Sequence, residues 1–324
     1  MPAPLLHRGR PSPWVLPLLA LLVLVCVAVA IMAGRYGIGP GRMVEAIAAR
    51  ATGGVSSDRR ADSVVFNLRL PRITVAVLIG SGMAVSGAAF QSIFSNPLAT
   101  PDTLGVASGT CVGAVVALLL GRGMTGVQLT ALVAGLITLV LAGVIVSALA
   151  DAVLSMLKLT ADPTSELPEI TYWLMGSLSG ASWGQITMAT PFILVGSGVI
   201  VALRWRLNVL ALSEDEARAA GVDVRRLRIV LIVCATVVTA SVVSLCGQVG
   251  WIGLIVPHAA RMLIGSDNRY LIPVCLLLGA SVMIMIDTIA RTLTASEIPV
   301  SVVTALVGAP FFITLLRRTG GVRT

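Results

Sequence analysis

The chain has 324 residues, of which 56% are hydrophobic and 12% charged, with a mean hydropathy of +0.96. Soluble domains carry roughly twice that charge and could not bury so much apolar surface, so a soluble globular fold is excluded. The net charge of +8 comes from arginine apart from Lys158, and with 4% aromatics it suits membrane topology and anionic lipid, with no nucleic-acid partner. Apolar stretches able to cross a ~30 Å slab recur along the chain, which predicts an all-α, polytopic helical bundle.

Met1 to Pro13 is a basic tail whose Arg8 and Arg10 hold it in the cytoplasm ahead of the apolar run Trp14 to Ala33. A signal peptide is the competing reading. The run exceeds a typical h-region, and Gly34-Arg35-Tyr36-Gly37 offers no small-residue cleavage site, so a retained first span is expected. The mixed polar segment Gly37 to Asp62 is external, and a second span follows from Ile73 to Phe94. In the third, Leu104 to Leu120, Gly105, Gly109 and Gly113 share one helical face and read as a packing surface.

Val127 to Leu159 is apolar for 33 residues, ~50 Å as one helix, which is too long for a single upright crossing. Two shortened helices turning near Gly135 or Gly143 are expected. Pro163 to Gly184 breaks the pattern, and Ile186 to Leu203 spans again. Arg204 to Arg228 is a charged cytoplasmic loop. Ile229 to Leu245, a shorter Ile252 to Leu263, Tyr270 to Leu293 and Val300 to Leu316 follow, inside a membrane domain covering 14–316. The arginine-rich tail, 317–324, shares the side of the head, which requires an even number of crossings and gives about ten.

The five cysteines lie in apolar segments without metal-ligand spacing, so they read as core residues, with no disulfide, metal or cofactor site. Glycine and proline clusters near membrane depth free backbone groups, which are tolerated only against protein or a water-filled path. Gln91, Asn96, Pro97, Gly250, Gly253, Pro257 and His258 are therefore candidate pathway residues, with tight helix packing the plainer reading of Gly250 and Gly253. Gly87 precedes Pro97, and Gly247 precedes Pro257, by ten residues, a hint of an internal repeat. Asp287 and Arg291 are four apart and predict a helical ion pair. No motif of a P-loop, a metalloprotease or a serine hydrolase is present, so no catalysis is expected and any ATP hydrolysis belongs to a separate subunit.

Between the sixth and seventh spans, Ser213-Glu214-Asp215-Glu216 is a capping box: Ser213 caps, Glu216 reaches back, and Gly221 supplies the stop. The helix through Ala217 and Arg218 is a rigid handle outside the membrane. Two blocks carry a wider resemblance: Arg69-Leu70-Pro71-Arg72 through Asn96-Pro97-Leu98-Ala99-Thr100-Pro101-Asp102, and Gly247-Gln248-Val249-Gly250-Trp251 through Pro257-His258-Ala259-Ala260-Arg261. With Glu297-Ile298-Pro299 and Gly308-Ala309-Pro310-Phe311-Phe312, they resemble the FecCD permeases of ABC importers for iron siderophores, haem and vitamin B12. Ala161-Asp162-Pro163 to Leu178 looks like the iron-complex branch, whereas the 127–159 stretch is shorter than members usually carry.

The resemblance implies a type II importer permease that carries an iron chelate into the cytoplasm. It implies two copies of an ABC ATPase subunit docked on Ser213 to Gly221, a second permease copy or paralogue, and an extracytoplasmic substrate-binding protein. It implies that Arg69, Arg72 and Arg291 meet acidic residues of that binding protein; anchoring in lipid headgroups is the alternative. A proton-driven secondary transporter using Asp151 and Asp287 is the competing function.

Overall fold

A computed structural model describes residues 6–7, 10–34, 36–52, 58–101, 105–140, 144–212, 214–219, 221–294 and 296–318. Apart from one short pairing of Leu6–His7 with Arg10–Pro11, its regular structure is helical. The helices are α1 Val15–Met32, α2 Pro40–Thr52, α3 Arg59–Ser63, α4 Leu70–Ile93, α5 Val106–Leu119, α6 Met124–Val140 and α7 Val144–Thr160. They continue as α8 Glu166–Leu174, α9 Trp183–Ala202, α10 Glu214–Ala219, α11 Val224–Cys246, α12 Ile252–Ile264, α13 Asn268–Thr292 and α14 Val300–Arg318. A π-helical segment, Val64–Arg69, joins α3 to α4 without a break. Among the described residues, five helices are long and apolar enough to span: α1, the run Arg59–Ile93, α9, α11 and α13.

The bundle is built around α4, and its composition explains why. Lipid offers apolar side chains no reason to bury, so helices associate where small residues let backbones meet. Gly80 faces the backbone of Gly279 on α13, Gly87 faces that of Gly253 on α12, and Gly82 meets Val238 of α11. Bulky residues point outward instead: Leu18, Leu21 and Leu24 of α1 and Leu194 and Val195 of α9 are exposed. Inside the helices, Thr110, Thr239 and Thr288 donate their hydroxyls to the carbonyls four residues back, which satisfies them without a partner helix.

The 127–159 stretch is two helices, α6 and α7, each of 17 residues. Gly135 is not the turn: it sits inside α6, where a Cβ would meet Thr110 and, at 2.9 Å, the Cβ of Ala240. The residues between the two helices, 141–143, with the other expected turn position Gly143, lie outside the described residues. Gly109 and Gly113 pack on Thr138 and on Thr130 and Ala134 of α6, as their spacing predicted. The suggested repeat does not extend to geometry, because Gly87 lies within α4 whereas Gly247 ends α11 at φ +76°. All five cysteines are free, and four are buried.

Contacts sort the chain between two ends. One gathers the end of α1, the start of α4, the start of α9, where Trp183 Nε1 donates to Phe66 O at 3.3 Å, and the end of α13. The other gathers the end of α9, α10 and the α12–α13 turn, where Arg204 donates to Arg269 O and Asn208 to Asp267.

Candidate functional site

At the first end, a cleft of about 390 Å³ brings Arg69, Arg72 and Arg291 together with Tyr36 and Glu297. The juxtaposition matches expectation, but the guanidinium groups turn inward. Arg69 donates to the carbonyls of Ile31 and Tyr36, and Arg291 to those of Ala30 and Ala33. The carbonyls of Ala30, Ile31 and Ala33 end α1, which has no basic residue in its own last turn. Two cations from other helices thus serve its unsatisfied acceptors and the negative end of its dipole.

Arg72 makes a forked contact to Asp287 through Nε (2.8 and 3.0 Å) and another to Glu297 through Nη1 (2.8 and 2.9 Å). Its side chain is 12% exposed and that of Asp287 is 2%. The anticipated Asp287–Arg291 pair exists at a looser 3.7 Å, so the primary partner of Asp287 is Arg72, on another helix. The two carboxylates offset two of the three arginine charges, so the cleft keeps one net positive charge. The π-helical segment that ends at Arg69 shifts the helical phase where these side chains enter the cleft.

The candidate pathway residues meet where α4 ends against α12. Gln91 is buried and its amide nitrogen reaches Gly253 O at 3.4 Å. Asn96 accepts from the Leu98 N–H at 2.9 Å, forming the turn that carries Pro97, and His258 lines a small apolar gap with Pro97, Phe311 and Phe312. Pro257 is buried inside α12. Gly253 faces Gly87, so packing accounts for it, whereas a Cβ on Gly250 would meet nothing within 4 Å.

The chain between α11 and α12 is a sharp break in an otherwise helical stretch. Gly247 needs its glycine twice: φ is +76°, and a Cβ would strike the Trp173 carbonyl. Sequence reasoning missed Trp251 as a site residue. It takes φ +70°, rare for a bulky side chain, and its ring fits the notch at Gly308 and meets Phe312 edge-on at 6.2 Å. The absence of a side chain at Gly308 was the available signal.

At the opposite end, α10 is a six-residue helix with Ala217 fully buried and Asp215, Glu216 and Arg218 exposed. Ser213 and the Glu214 side chain lie outside the described residues, so the capping box is seen only from its far end. There Gly221 has φ +74°, its N–H bonds Arg218 O at 2.9 Å, and Val222 N–H bonds Ala217 O at 3.0 Å. Asp223 then caps α11 through the Arg226 N–H. A cavity of about 480 Å³ opens between this stop and α11, lined by Arg218, Gly221, Asp223 and Arg225.

A small-residue bundle with a broken helix inside, a charged cleft at one end and a capped helix projecting at the other defines a polytopic membrane permease. The chain belongs to the FecCD transport family, whose model matches residues 21–318. It is similar to the molybdate import system permease of Haemophilus influenzae, 36% identical over 91% of this chain and 92% of the relative. A cobalamin import permease of Halobacterium salinarum is 40% identical over 79% of this chain and 74% of its own length. A probable iron chelatin permease of Helicobacter pylori is 35% identical over 80% and 84%. Among solved structures, an inward-facing metal-chelate type ABC transporter matches with a TM-score of 0.87 and 35% identity, over 95% of this chain and 100% of that one. The chain is thus the permease subunit of an ABC importer, a multi-pass protein of the inner membrane whose partners include an ATPase subunit and a substrate-binding protein.

Proposed function

We propose that this permease carries an iron complex, of the ferric siderophore class, into the cytoplasm. Relatives named for iron chelatin and Fe(3+)-citrate support that cargo, while those named for haemin, cobalamin and molybdate define the alternatives. In this reading the tails 1–13 and 317–324 and the loop 204–228 are cytoplasmic, Ser213 to Gly221 seats in an ATPase subunit, and a second permease copy or paralogue completes a channel served by two ATPases. The cleft that holds Arg69, Arg72 and Arg291 is the docking face for the substrate-binding protein, with Arg69 and Arg291 also fixing the end of α1. The chain itself performs no catalysis.

One observation favours ATP over a proton gradient: Asp287, which a proton-driven mechanism would need as a carrier, is held by Arg72 at 2.8 Å. Its carboxylate is engaged in a structural contact between α4 and α13, which a mobile proton carrier would have to break. The test of cargo is uptake by the reconstituted complex from an equimolar set of ferric siderophore, haemin, cobalamin and molybdate. Preference for haemin, cobalamin or molybdate would refute the ferric siderophore reading and leave the permease assignment intact.

A further inference from the structure

At the end of the bundle that carries α10, a cleft of about 310 Å³ opens between the last turn of α4, the 3-10 turn Arg206–Ala211, α12 and the turn into α13. Its polar lining includes Gln91, Ser95, Asn96, Arg261, Ser266 and Asn268. Two of these side chains are unsatisfied. Gln91 is 3% exposed, yet its Oε1 has no hydrogen-bond partner, and its amide nitrogen has only the long contact to Gly253. Nη1 of Arg261 is buried without a partner, and among the described residues no carboxylate forms an ion pair with this arginine.

A largely buried guanidinium without an anion is costly, as is a buried amide without its bonds. The nearby groups do not remedy this. Asp267, beside the cleft, accepts from Asn208 at 2.6 Å and from the Arg269 N–H at 2.9 Å, and Asn268 is bonded to Ser92 at 3.0 Å. Gln91 stands on the α4 wall and Arg261 on the α12 wall, so an anion with acceptor oxygens in the cleft could satisfy the guanidinium.

We propose that this cleft binds a small tetrahedral oxyanion, of the phosphate class, with Arg261 as the charged contact. This goes beyond the permease reading, because binding here requires neither transport nor a particular cargo. The oxyanion is supplied free in the cytoplasm or as the phosphate of an anionic lipid.

The test is calorimetric titration of the full chain, purified with its co-purifying ATPase subunit, using inorganic phosphate, sulfate and molybdate as probes. Parallel titrations in neutral-lipid and phosphatidylglycerol nanodiscs separate the two sources. Saturable binding in neutral lipid identifies the free anion; loss of the phosphate signal only in phosphatidylglycerol shows the headgroup competing for the same cleft. Arg261→Gln should weaken binding by about tenfold or more, as expected for a lost charge-assisted contact. Arg261→Lys, which keeps charge but not the fork, should fall between, and Gln91→Glu should abolish binding by repulsion. An unchanged unfolding midpoint without anion shows that a variant is folded. Absence of Arg261-dependent binding in both lipids overturns the proposal. So does loss of ATPase co-purification in Arg261→Gln without any anion effect, since a partner's acidic side chain would then fill the cleft.

Discussion

Replacing Arg72 with methionine tests the account of the α4–α13 junction most severely. The substitution keeps most of the apolar stem but leaves Asp287, 2% exposed, without its forked partner. Breaking one side of a buried ion pair costs roughly 3–5 kcal/mol, because the remaining charge is stranded. Arg291, already 3.7 Å from Asp287, retains part of the compensation, so the lower end of that range, about 3 kcal/mol, is expected. The contact to Glu297, whose side chain is 30% exposed, adds no more than about 1 kcal/mol. In Arg72→Met/Asp287→Asn the stranded charge is gone, so the double variant should be more stable than Arg72→Met alone. Reversible unfolding of the detergent-solubilised chain with SDS measures these two variants and Asp287→Asn alone. Additive costs, or an Arg72→Met variant as stable as the parent, would refute the buried-pair reasoning.

Glu216→Ala with Gly221→Val should leave membrane insertion intact, cost roughly 1–2 kcal/mol for the left-handed position, and uncouple ATPase stimulation from uptake; normal coupling would remove α10 from the ATPase interface. Gly87→Leu should separate α4 from α12 and cost at least about 1–3 kcal/mol, read as a lower unfolding midpoint, whereas Gly253→Ala, 3.3 Å from Met83 O, should be far milder. Donation from Thr164 and Ser165 depresses the Asp162 carboxyl to about 2, below its ordinary 3.8. Its stabilising contribution is therefore full above the ordinary value and lost as pH falls through about 2, so the turn before α8 should resist pepsin at about pH 3 and be cut near pH 1.5. Asp162→Ala should be cut at both.

The spans were legible because their signal is composition sustained over a helix length, which needs no knowledge of neighbours. Two helices were not. In α2, Pro40 in the first turn precedes Met43, Val44 and Ile47 at helical spacing, but the mean polarity of 37–62 hid the pattern. In α8, Glu166 and Glu169 interrupt the apolar pattern, although they occupy the favourable first turn of a helix whose Ile170 is buried. The site was legible where chemistry is local, as at Gly221, where a glycine after a short capped helix reads directly as a stop. It was not legible where partners are distant. Asp287 and Arg291 could be paired by counting four residues, whereas Arg72 lies 215 residues from Asp287 and only the crossing of α4 with α13 joins them. The inward turn of Arg69 and Arg291 follows from the bare carbonyls at the end of α1, which sequence does not place beside either residue.

The central claim is that transport through this chain is driven by ATP hydrolysis in a partner bound at α10. Its most direct test is uptake of a radiolabelled ferric siderophore by proteoliposomes holding the chain, its co-purifying ATPase and the substrate-binding protein, with and without ATP and a proton uncoupler. The account predicts uptake that requires ATP, ignores the uncoupler and disappears when the ATPase is omitted; uptake by the chain alone, driven by a proton gradient and abolished by the uncoupler, would contradict it.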